Sequence, residues 1–80
     1  MGYPRAQRAI AEVIEEAMEK AGETRASLNR KLKRHGQFMG RVLSLEQEPT
    51  ATELMAIGRA LGTTGSILLR QAEVRVKTLS

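Results

Sequence analysis

The sequence predicts an all-α fold of five short helices, and three observations carry that prediction. Only Tyr3 and Phe38 are aromatic among 80 residues, so the core is aliphatic. A core of Leu, Ile, Val, Met and Ala suits helices. The apolar residues recur at spacings of three and four, the period of one helix face. Helix start and stop residues punctuate the periodic stretches: Pro4, Gly22, Thr24, Gly36, Thr50 and Gly62.

The first helix is expected over residues 4–21. Pro4 suits a first turn, and Ile10, Val13, Ile14, Ala17 and Ala21 share one face. Glu12, Glu15, Glu16 and Glu19 lie mostly off that face and would repel phosphate, so this helix reads as scaffold. Gly22 is its natural stop. Thr24 can cap a second, short helix with Leu28 and Leu32 facing inward. Lys33-Arg34-His35-Gly36 reads as a turn, with Gly36 as the break. A third helix is expected from about Gln37 to Leu45, with Met39 and Val42 inward and Gln37, Gly40, Arg41 and Ser44 outward. After a polar connection, Thr50 and Glu53 form a capping-box pattern that opens a fourth helix. Leu54, Ile57 and Leu61 make its stripe, and Gly62 ends it. Thr63 or Thr64 starts the fifth, with Ile67, Leu68 and Gln71 turned to the core. Residues 74–79 alternate in strand fashion, as an edge strand, a dimer strand or a frayed tail. The expected organisation is one domain over residues 1–73 and a tail over 74–80.

Composition excludes several classes. With no Cys, neither a disulfide nor a thiolate metal site can form, which fits a reducing cytoplasm. No apolar run approaches the roughly 20 residues of a membrane span. The N-terminal stretch meets Glu12 and Glu15 too early for a signal-peptide core. The net charge of +4 suggests an acidic partner. Between Arg25 and Arg41 lie six of the 13 Lys and Arg residues and none of the 9 acids. That is the electrostatic footprint of a polyanion-binding surface.

Several segments carry a family resemblance. Glu23-Thr24-Arg25 stands where a second helix opens, Leu28 and Leu32 occupy its buried positions, and Met39 and Val42 the apolar positions of the third. The segment PTATELMAIGRALGTTGSILLRQAE has a Pro-led helix ending in Ala-Leu-Gly, followed by a Leu-Leu pair. Together these resemble the helix-turn-helix domain of phage repressors and Cro proteins, the Xre-like family, over about residues 8 to 72. The resemblance implies a compact five-helix, lambda-repressor-like fold. The chain departs from the family at Asn29, where a small residue is usual, at Lys33, where Gly is usual, and at Arg34, where an apolar residue is common. Gly58, Gly62 and Leu68 imitate the same pattern on the last two helices, but that stretch carries only Arg59 and Arg70 as bases.

The resemblance implies a third helix in the DNA major groove, with its N-terminal residues at base edges. Carried over, the groove-facing positions are His35, Gly36, Gln37 and Arg41, with Phe38 at the groove rim or packed under the second helix. Gln pairs with adenine and Arg with guanine through two hydrogen bonds each. Arg25, Lys33, Arg34, Arg30 and Lys31 are the expected phosphate contacts, which position the protein without reading sequence. Family members commonly bind as homodimers. Ile67, Leu69, Val74 and Val76 are the candidate dimer surface, with completion of the core as the other use of Leu69 and Val74.

The expected function is therefore a small sequence-specific transcriptional regulator of double-stranded DNA, repressor-like and cytoplasmic. No catalytic residue, cofactor, metal or small-molecule substrate is expected, since a lone His offers neither a metal set nor a nucleophile–base pair. The main alternative is a small helical antitoxin or adaptor that binds an acidic protein. A membrane-surface binder would need exposed Trp or Phe opposite its bases, and RNA binding would need stacking aromatics.

Overall fold

The computed structural model describes residues 3–34 and 36–79. Five helices follow one another: α1 Pro4–Ala21, α2 Arg25–Lys31, α3 Phe38–Leu43, α4 Ala51–Ala60 and α5 Gly65–Leu79. No strand occurs among the described residues, so the fold is all-α. Helix starts follow the cap chemistry. Pro4 opens α1. Thr24 Oγ1 accepts from the Ser27 amide at 3.0 Å, and Ser27 Oγ accepts from the Thr24 amide at 2.8 Å. Thr50 and Glu53 make the same reciprocal pair at the start of α4.

The four interhelical turns share one hydrogen-bond pattern. After each helix a residue turns left-handed, and its amide reaches back three residues. The following amide then reaches back five. Those longer bonds are Glu23 to Met18 (2.9 Å), Arg34 to Asn29 (2.9 Å), Glu46 to Arg41 (2.9 Å) and Thr63 to Gly58 (2.8 Å). This is the Schellman ending, whose left-handed position usually holds glycine. Gly22 (φ 69°) and Gly62 (φ 76°) follow that rule, but Lys33 (φ 56°) and Leu45 (φ 70°) do not. A side chain in this conformation costs about 1–2 kcal/mol. Both exceptions flank α3.

Packing is dominated by α1 against α5, then α4 against α5. Ala9, Val13, Ile14 and Met18 of α1 join Leu68 and Ala72 of α5 in one core with Leu54, Ile57 and Leu61. Leu28, Phe38, Met39 and Val42 bring α2 and α3 onto the same core. The approach of α4 to the start of α5 needs a glycine. A Cβ at Gly58 would fall 2.5 Å from the Thr64 carbonyl carbon. Arg75 clamps α5 to α1 through Glu16 at 2.7 Å and Glu12 at 3.3 Å. The radius of gyration is 11.7 Å, against about 11.6 Å for a compact chain of this length.

Three expectations need correction. Residues 74–79 are part of α5, not a strand or a separate tail. Leu68, Ala72 and Val76 run four apart, and that stripe packs on the core and keeps the segment helical. The third helix is shorter than 37–45, because Leu45 turns left-handed and its carbonyl accepts from Gln7 Nε2 at 3.0 Å. Ile67 and Gln71 are exposed rather than buried in the core, Gln71 lying with Leu68 along the rim of a groove against α1.

Candidate nucleic-acid interface

The α2–turn–α3 unit gathers most of the sequence-predicted site. Gln37 is the N-cap residue of α3, and its carbonyl accepts the first helical bond, from the Arg41 amide at 2.8 Å. Its side chain makes no capping bond and is exposed. Gln37, Gly40 and Arg41 are spaced by three and four, so they share one face. Gly40 matters because Arg25 of α2 lies beside it: a Cβ at Gly40 would meet Arg25 Nη1 at 4.0 Å. The Arg25 guanidinium is thus placed next to the Gln37–Arg41 face by the packing of α2 on α3.

The six bases of the run are not equivalent. Lys31 is ion-paired to Glu23. The Glu23 carboxyl is held below the usual carboxylate range, first by the Lys31 ammonium and then by the Ser27 hydroxyl. Arg34 reaches Glu53 of α4 at 3.0 Å, and its guanidinium carbon lies 4.2 Å from the centre of the Phe38 ring. Arg34 therefore ties the turn to α4 and roofs the core, so its charge is largely balanced within the chain. Arg25, Arg30, Lys33 and Arg41 are exposed and have no ion-pair partner among the described residues.

Phe38 is not at a base-reading position. It is 4 % exposed and belongs to the core, the second of its two expected uses. The reason is its place on the inward face of α3, under Arg34. His35 lies outside the described residues. Gly36 is exposed, with φ 61°, so among its described residues the turn holds left-handed Gly36 as well as Lys33.

Sequence reasoning passed over Asn29 as a residue with a job. It is 8 % exposed, the one buried polar residue among those described. Its Oδ1 accepts from the Met39 amide at 3.1 Å, and its Nδ2 donates to the Gly36 carbonyl at 2.9 Å. Its departure from the family pattern was the available signal.

The dimer candidates separate. Ile67, Leu69 and Val74 are exposed, while Val76 is half-buried against the core. Leu69 and Val76 line a shallow groove with Ala6 and Ile10 of α1. Ile67 and Val74 sit on the other side of α5, since they are two residues out of phase with that pair. The four do not form one surface.

No helix among the described residues is long and apolar enough to cross a membrane. No family model, curated protein or solved structure matches the chain.

Proposed function

We propose that this protein is a small sequence-specific regulator that binds double-stranded DNA in the manner of phage repressors and Cro proteins, with α3 as the helix that enters the major groove. The observation that carries the reading is one face with two kinds of group. Gln37 and Arg41 are exposed four residues apart at the start of α3, the Arg25 guanidinium lies beside Gly40 between them, and Arg30 and Lys33 of the same basic run are exposed and form no ion pair among the described residues. Gln37 can read adenine and Arg41 guanine at neighbouring base pairs. Arg25, Arg30 and Lys33 supply sequence-independent attraction to phosphates. The acids Glu12 and Glu16 are engaged by Arg75 and lie on the α1–α5 side of the molecule. Arg34 and Lys31 contribute less, because each already has a carboxylate. In this reading the protein acts in the cytoplasm as a homodimer on paired half-sites about one helical turn apart, and occupies its site as a repressor.

Selection of bound duplexes from a random pool tests the reading. The wild-type protein selects a defined sequence, and Gln37→Ala and Arg41→Ala each relax preference at one base pair. Recovery of the full wild-type preference by both variants would show that α3 does not read bases. Recovery of no preferred duplex from the wild-type protein would remove the function itself.

A further inference from the structure

The backbone amides in the first turn of a helix have no partner within the helix. The N-cap side chain usually supplies the acceptor. In α3 the N-cap is Gln37, and its side chain does not do this. The acceptor comes from another helix: Asn29 of α2 takes the Met39 amide on Oδ1 and gives its Nδ2 hydrogen to the Gly36 carbonyl. These two bonds bracket Gln37, one before it and one after it. The Asn29 backbone carbonyl also accepts the Arg34 amide at 2.9 Å, which closes the end of α2. One residue therefore ends α2 and starts α3. Its amide orientation is dictated, since only one choice of oxygen and nitrogen satisfies both partners.

On the DNA-binding reading above, we infer that Asn29 is the positioning residue of the base-reading face: it caps α3 from α2, and so leaves the Gln37 side chain free for a base. Asn29 touches no DNA itself. It fixes the backbone at Gln37 on both sides, and through it the four-residue offset to Arg41. An Ala here leaves the Met39 amide without an acceptor, and Gln37, as the N-cap residue, is placed to fold its side chain back and replace it. The cost of losing Asn29 is then lost discrimination, not lost attraction to phosphate.

The test compares wild type, Asn29→Ala and Asn29→Asp in three measurements. These are preference among duplexes differing at one base pair, the salt dependence of affinity, and hydrogen exchange at the Met39 amide. Wild type is expected to discriminate by about tenfold or more per read base pair. In Asn29→Ala that ratio should fall to about twofold, with the salt slope unchanged, because the same phosphates are met. Met39 exchange should quicken. Asn29→Asp keeps the acceptor for Met39 but loses the donor to Gly36, so Met39 stays protected and discrimination falls part-way; this variant also carries the test if Asn29→Ala does not fold. A uniform loss of affinity with unchanged ratios overturns the inference, since that is what a merely structural residue would do. If wild-type protein prefers no duplex, the DNA reading fails by itself; unchanged Met39 exchange in Asn29→Ala would separately overturn the cap.

Discussion

Replacing Lys33 with glycine should make the protein more stable and a weaker DNA binder. Lys33 stands at φ 56° in the left-handed position that ends α2. Its side chain is exposed and has no ion-pair partner among the described residues, so no ion pair is lost with it. Glycine relieves about 1–2 kcal/mol of backbone strain. Against this, the more flexible unfolded chain costs about 0.4–1 kcal/mol. The net gain is about 0.5–1 kcal/mol, or a rise in Tm of about 4 °C for a domain of this size. Gly22→Ala is the mirror experiment. It forces a side chain to φ 69° where the added Cβ meets nothing within 4 Å, and it should cost a similar amount. Urea and thermal unfolding followed by circular dichroism measure both. A Lys33→Gly protein no more stable than wild type, beside a Gly22→Ala protein that is destabilised, would refute the strain argument. In DNA binding the sign reverses: the log–log salt slope should shrink by about 0.9 for the one phosphate contact removed.

Phe38→Ala should cost about 3–5 kcal/mol, close to the whole stability of a small domain, and equilibrium unfolding would reveal it; a loss below about 1 kcal/mol would place Phe38 outside the core. Arg34→Ala should lower stability by less than about 1 kcal/mol, its pair with Glu53 and its contact with Phe38 being partly exposed, and leave the salt slope of DNA binding near wild type. Arg30→Ala should do the reverse, with stability within about 0.5 kcal/mol and a slope smaller by about 0.9; salt titrations and melts of the two separate the roles. Glu23 has a lowered pKa, so its stabilising effect is complete above the ordinary value of 4.5 and is lost as pH falls through the lower folded value. Glu23→Gln should therefore flatten the decline in stability below about pH 4.5, as measured by urea midpoints at neutral and acid pH.

Much of the fold could be read from local signals. Pro4 and Gly22 bound α1, and the Thr50–Glu53 pair opens α4, because caps and stops act within a few residues. The α2–α3 unit resisted reading for physical reasons. Its left-handed residue at the end of α2 is Lys33, which carries no glycine mark, while the glycine of the turn, Gly36, comes three residues later. Its cap is Asn29, whose bonds reach seven and ten residues along the chain. Phe38 was ambiguous because α3 has only six residues, fewer than two turns, too few to define a face. Residues 74–79 satisfied a period of two in Val74 and Val76, while the stripe of four through Leu68, Ala72 and Val76 decided the outcome. Of the candidate site, Gln37, Arg41, Arg25, Arg30 and Lys33 are exposed, and Arg25 lies beside Gly40 of α3. The basic run could not disclose that Arg34 and Lys31 are held by carboxylates.

The split apolar surface of α5 limits how copies of this chain can assemble. A two-fold pair meets through the same patch on each subunit and closes on itself. Such a pair can use Ile67 and Val74, or it can use the groove of Leu69 and Val76, but not all four at once. Whichever patch it uses, the other stays outward on both subunits. A contact that joined one patch to its opposite number would instead run head to tail, with no reason to stop at two. Substitutions on the unused side of α5 thus stand between a closed pair and an open-ended array.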